Sequence, residues 1–192
     1  MFDLLMKINI YLLSFFLSTL IQAQSKLDII QLGHPTLRAK AAEVPLSEIK
    51  NPAFQQLIDD MIYTMKKSQG VGLAAPQVNH SLRMFVMKSG LQVPLTVVIN
   101  PTIEYLEEFG QKSSLEGCLS IPGQTLKVPR YQRIRMSYWD RDGNYITEEI
   151  KGFKAIISQH EYDHLNGVLI VDLVQEMLTE FDLENYLQAP LM

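Results

Sequence analysis

Gln159-His160-Glu161-Tyr162-Asp163-His164 is the stretch around which the rest of the chain has to be read. On a helix, the HExxH spacing turns the chain through about 400° between the two histidines, so both imidazoles leave nearly the same face, roughly 6 Å apart along the axis. That separation suits one metal ion. Glu161 is rotated about 100° from His160, which sets it beside such an ion without making it a ligand and leaves it free to handle the proton of a water held there. A surface helix that merely carries two histidines and some acids would show the same six residues, so the decision rests on what lies upstream.

Within the same helix, Phe153, Ile156, Ile157, His160 and His164 follow at offsets of 3, 1, 3 and 4, so the metal-facing side continues into an apolar strip. Part of that strip is core, and part can line a pocket for an apolar side chain, with Val71 opposite. Further upstream stands Glu116-Gly117-Cys118-Leu119-Ser120, which holds the only cysteine of the chain. A lone thiol forms no disulfide within the chain; it is either a small buried hydrophobe or the third ligand that two histidines lack. Gly70-Val71-Gly72-Leu73-Ala74-Ala75-Pro76-Gln77 is backbone with little side-chain bulk. Its glycines permit positive φ and let main-chain groups approach a ligand closely. Without a Gly-Lys-Ser/Thr ending or an obvious following helix, it is not a phosphate loop.

A chain of 192 residues, 47% hydrophobic and 20% charged, is expected to form one globular domain. The net charge of -4 argues against direct DNA or other nucleic-acid binding. Residues 1–25 differ from the rest. No charge lies between Lys7 and Lys26, and Ile8 to Ile21 is a mostly apolar run, short for a membrane span. With Lys7 before the run and Ala23 after it, residues 1–25 read as a signal-like or anchor segment, with a membrane or export contact, and residues 26–192 as the domain.

Taken in order, Leu27 to Leu32 suggests a short strand ending at Gly33-His34-Pro35, with His34 a turn residue and not a ligand. Asn51-Pro52 is an N-cap followed by proline, and Phe54, Leu57, Ile58, Met61, Ile62 and Met65 form one helical stripe, with Gly70 after its last turn. Arg83 to Lys88 and Leu95 to Ile99 read as strands, the second closed by Asn100-Pro101. Ile134 to Trp139 and Tyr145 to Ile150 form a hairpin across Asp142-Gly143. The pattern is α+β: a single domain of mixed or antiparallel sheets around a central HExxH helix, with an additional N-terminal helix.

The glycine stretch at 70–77, the cysteine stretch at 116–120 and the HExxH stretch at 159–164 together resemble the three signature motifs of peptide deformylases, in the same order and at similar separations. The resemblance runs from about Leu27 to Leu173 and includes His34-Pro35-Thr36-Leu37-Arg38 and Val128-Pro129-Arg130. It implies that Cys118, His160 and His164 hold one divalent ion, Fe2+ in the usual native form, replaceable by Zn2+, Ni2+ or Co2+. Glu161 would be the general acid and base. Gln77, through its amide, and Leu119, through its backbone N–H, would bind the oxyanion, and Gly72 would hydrogen-bond the substrate. The reaction would remove the formyl group from formyl-methionyl peptides, with Val71, Phe153, Ile156 and Ile157 around the methionine.

The location that the resemblance implies is cytoplasmic, whereas the signal-like start points to export. From Asp172 onward the tail carries Glu176, Glu180, Asp182 and Glu184 and no Lys or Arg, so phosphate-rich ribosomal RNA should repel it. A zincin-type endoprotease would take its third ligand downstream of His164, where Glu176, Glu180 and Glu184 stand. A noncatalytic metal- or peptide-binding module is the reading from a different class.

Overall fold

The apolar stripe that begins after Asn51 folds as helix α1 (Pro52–Lys67). The Asn51 side chain accepts from the Ala53 N–H, and Pro52 occupies the first turn, where no backbone donor is required. Ile58 and Met61 on the buried face are fully enclosed, each contributing about 1.5–3 kcal/mol relative to exposure. The residue that takes the left-handed conformation after the helix is Gln69 (φ 57°) and not Gly70.

The structure, a computed structural model, describes residues 23–90 and 94–174. Almost all of the signal-like segment (1–22) and the acidic tail residues Glu176, Glu180, Asp182 and Glu184 lie outside the described residues. Among the described residues no helix is long and apolar enough to cross a membrane.

The strands are β1 (Gly72–Ala74), β2 (Met84–Met87), β3 (Thr96–Tyr105), β4 (Gln111–Cys118), β5 (Ile121–Tyr131), β6 (Arg133–Trp139) and β7 (Tyr145–Lys151). They make an antiparallel five-stranded sheet in the order β1-β2-β3-β6-β7 and a separate two-stranded sheet, β4-β5. Helix α2 (Gly152–Leu165) carries HExxH and packs against strands of both sheets; a short α3 (Ile170–Leu173) follows. One apolar cluster lies under α1, a second between the larger sheet and α2, and a third, containing Cys118, Leu126, Val128 and Ile170, under β4-β5. The architecture is α+β, as expected.

Three sequence expectations are corrected. Leu27 to Leu32 forms no strand: Leu27 to Gln31 has no regular secondary structure and Leu32 begins a turn, and the Ile30 and Leu32 N–H groups donate to the carbonyls of Gln77 and Ser120. Asn100-Pro101 does not close a strand. It forms an irregularity inside β3, where register shifts between Ile99 and Thr102, and Asn100 sits at φ 50° while its side chain bonds both backbone groups of Val44. The glycine stretch, read as leading into no obvious helix, ends in a short 3-10 turn, Ala75–Val78, which carries Gln77. The hairpin across Asp142-Gly143 is present, stapled by the Asp140 carboxylate accepting from the N–H groups of Asp142 and Asn144.

Candidate metal centre and its cleft

Strand β4 ends at Cys118, and the register of β4-β5 shifts between Gly117 and Cys118. Helix α2 brings His160 and His164 up from beneath, their ring centroids 5.1 Å apart. The Cys118 Sγ lies 3.3 Å from His164 Nε2, and one ligand atom from each of Cys118, His160 and His164 falls within 4.8 Å of the others. Three donors, two of them on buried residues, thus converge from two separate elements, 46 residues apart in the chain.

The surroundings favour positive charge at that point. Burial alone would strip His160 of its proton, yet hydrogen bonds to Cys118 and Glu116 and the charge of Glu161 outweigh it and lift the pKa to about 10. A divalent cation bound among the same groups would satisfy them in the proton's stead. His164 is pushed the other way by burial and by the His160 charge, so its imidazole stays neutral, the form that ligates metal. The donor set of one thiolate and two imidazoles fits a single transition-metal ion.

Glu116, which sequence reasoning quoted but gave no role, organises the centre. Its carboxylate accepts from His160 Nδ1 at 2.9 Å and takes a two-pronged contact from Arg130, Nε to Oε1 and Nη2 to Oε2, both at 2.8 Å. Arg130 also donates from Nη1 to Asp163 Oδ2 at 2.5 Å. With Nδ1 donating to Glu116, His160 presents Nε2 to the site, so a buried carboxylate fixes the tautomer. Glu116 and Arg130 are 6% and 4% exposed, and burial favours their neutral forms, but the pairing keeps both ionised. Two signals were available in sequence: Glu116 is two residues from Cys118 on the same strand face, and Arg130 stands in the Val128-Pro129-Arg130 stretch.

Glu161 is buried, and its Oε2 has no partner within the protein among the described residues. Burial raises its pKa to about 7, against the lowering effect of nearby His160. A Cβ added to Gly72 would lie 2.1 Å from Glu161 Oε1, so only glycine lets β1 approach this carboxylate. Neither Gly70 nor Gly72 adopts positive φ; close approach, not backbone freedom, is what they supply. Gln77 is 1% exposed; its Oε1 accepts from the Ala74 N–H at 2.9 Å, which turns its Nε2 toward Cys118 Sγ (3.6 Å) and Ser120 Oγ (3.3 Å).

A cleft of about 470 Å3 opens over the centre. Val71, Gly72, Gln77, Leu119, Phe153, Ile156, Ile157 and Glu161 all line it, together with Cys118 and His160. Ile157 is buried, whereas Val71 and Phe153 are 45% and 54% exposed and stand at the mouth. His164 is not among the lining residues and closes the centre from below.

A family described as polypeptide deformylase matches residues 26–180. Peptide deformylase 2 of Nostoc sp. is 44% identical over 172 residues, spanning 83% of this chain and 92% of the relative. A peptide deformylase of Fusobacterium nucleatum is 44% identical over 149 residues, 78% of this chain and 84% of the relative. The crystal structure of peptide deformylase from Thermotoga maritima superposes with a TM-score of 0.74 at 39% identity, covering 80% of this chain and 100% of that one. A Synechococcus elongatus peptide deformylase in complex with actinonin superposes with a TM-score of 0.73 at 39% identity, covering 86% of each chain.

Proposed function

The chain belongs to the peptide deformylase family, and from that premise we propose how its own residues remove the formyl group of a formyl-methionyl peptide and release formate. It is a metal-dependent hydrolase of N-formyl peptides. Cys118, His160 and His164 hold the ion; the observation that most supports this is the convergence of their donor atoms within 4.8 Å. Ferrous iron is the ion proposed in vivo, with zinc, nickel or cobalt able to take its place on the same sulfur and nitrogen donors.

A formamide is a poor electrophile and neutral water a poor nucleophile; an ion held by Cys118, His160 and His164 would supply the Lewis acidity that lowers a water's pKa from about 15.7 toward about 7. Glu161 accepts the proton of the attacking water and carries it to the departing amine, the work of a buried carboxyl group whose pKa burial lifts to about 7 before any cation is bound. As negative charge builds on the formyl oxygen, the Gln77 amide and the Leu119 backbone N–H donate to it, each such donor contributing about 100-fold to 1000-fold in rate. Gly72 offers main-chain groups to the peptide.

Val71, Phe153, Ile156 and Ile157 surround the methionine side chain. Burying a methionine there should favour formyl-Met over formyl-Asp peptides by about 10-fold to 100-fold in kcat/KM for formate release. Equal values would contradict this pocket. A second test addresses the approach of β1 to the base. Gly72→Ala drives a methyl into Glu161 Oε1, and a displacement of this size should lower kcat by about 100-fold; a wild-type rate would show that the carboxylate's position does not matter.

A further inference from the structure

The two proposed oxyanion donors belong to different parts of the fold. Gln77 sits in the 3-10 turn that follows β1 of the larger sheet, while Leu119 sits in the two-residue turn between β4 and β5 of the smaller one. No strand pairing joins the two sheets among the described residues. Transition-state stabilisation by paired donors requires their separation to be fixed before the charge appears, because donors that must first reorganise contribute less. Something has to hold these two turns in register.

The segment that stands where the first strand was expected spans this gap. Ile30 donates its N–H to the Gln77 carbonyl at 2.9 Å, and two residues on, Leu32 donates to the Ser120 carbonyl at 2.9 Å. Between them, the Gln31 side chain bridges the carbonyls of Ile29 (Nε2 to O, 3.0 Å) and Leu119 (3.4 Å). The peptide planes immediately after both donor residues are therefore held by one short piece of chain. That piece is itself anchored at both ends. Upstream, Leu27 N–H donates to the buried Thr64 hydroxyl of α1 at 2.8 Å; downstream, Leu37 is fully buried in the cluster beneath β4-β5. From the opposite side the Leu119 side chain lies against Gly70, where an added Cβ would come within 2.8 Å of its Cδ1.

We propose that Ile29 to Leu32 is a brace for the oxyanion site and that Gln31 is a positioning residue for formyl hydrolysis, acting through the Leu119 carbonyl to hold the adjoining N–H in place. The inference rests on the reading of Gln77 and Leu119 as oxyanion donors. Gln31 is exposed and outside the residues that line the cleft, so its removal touches neither the metal ligands nor the methionine pocket.

The test compares Gln31→Leu, Gln31→Lys and Gln77→Ala in the full-length, metal-loaded protein, by formate release from a formyl-Met dipeptide, metal content and thermal midpoint. Gln31→Leu keeps the bulk and loses the donor; it should lower kcat about three- to tenfold, with KM within about twofold and metal content unchanged. Gln31→Lys, whose ammonium can still donate to the Leu119 carbonyl, should recover most of that loss. A wild-type kcat in Gln31→Leu, a change confined to KM, or an equal loss in Gln31→Lys overturns the brace, even while Gln77→Ala is impaired. An unchanged kcat in Gln77→Ala overturns the oxyanion reading beneath it, and the brace with it.

Discussion

Glu161→Gln should lower kcat for formate release by about 100-fold to 10,000-fold while the protein keeps its metal and its fold. The substitution preserves shape beside Gly72, against which Glu161 Oε1 lies, and removes only the ability to take and return a proton. The pH dependence follows from the same group. Burial raises its pKa to about 7 without the ion, and a neighbouring cation can only lower that value. Since the base is the ionised form, kcat/KM should fall as pH drops through an acid limb at or below about pH 7, and the residual activity of Glu161→Gln should lack that limb. Stability should move the other way. A carboxyl group whose pKa is higher in the folded state than unfolded stabilises the fold at low pH, and this is lost as pH rises from the ordinary value of 4.5 through about 7. The metal-free Glu161→Gln protein should therefore be at least as stable as the parent, most clearly above pH 7. A thermal midpoint well below the parent's would mean that Glu161 holds the structure together and is not merely held by it.

Arg130→Ala should be the most destabilising single change at the site. It strands Glu116 and Asp163, leaving a carboxylate that is 6% exposed without its two-pronged partner. Breaking a buried ion pair by removing one member costs about 3–5 kcal/mol, which for a chain of this size lowers the thermal midpoint by about 6–20 °C. The effect should reach the metal as well. Glu116 without Arg130 is drawn toward its protonated form by burial and no longer orients His160 through Nδ1, and loss of such an outer partner weakens metal affinity by about 10-fold to 100-fold. Thermal denaturation and a metal-competition titration of the variant read the two effects separately. A midpoint within about 2 °C of the parent, with unaltered metal affinity, would show that the Glu116–Arg130 pair contributes little.

What could be read from the sequence was what is periodic or local. The stripe on α1, the 160/164 spacing on α2 and the Asp140–Asn144 turn each declare themselves within one or two turns of chain, and all three appear in the structure. Strands β4 and β5 did not declare themselves. Gln111–Cys118 is mostly polar and Ile121–Tyr131 carries two prolines and a glycine, because this small sheet buries one face and gives the other to solvent and the cleft. Asn100-Pro101 looked like a strand end since proline cannot join a ladder. The structure instead accommodates it as an irregularity, with Asn100 stitched to Val44, 56 residues away. The ties of Ile30 to Gln77 and of Leu32 to Ser120 belong to the same class: they join distant backbone groups and leave no side-chain pattern to find.

The arrangement of the centre was half legible. His160 and His164 followed from helical geometry, whereas Cys118 as third ligand came from the resemblance, the residue itself being equally compatible with a small buried hydrophobe. The structure brings the three together and adds what no spacing could reveal. Two carboxylates and an arginine around His160 make the pocket a place that holds positive charge, and Gly72 is kept without a side chain by the position of Glu161.

Metal-edge X-ray absorption on the zinc-loaded protein tests the central claim most directly. Coordination by Cys118, His160 and His164 predicts one sulfur at about 2.3 Å and two imidazole nitrogens at about 2.0–2.1 Å, the sulfur contribution vanishing in Cys118→Ser. A shell of nitrogen and oxygen alone in the parent protein would contradict it.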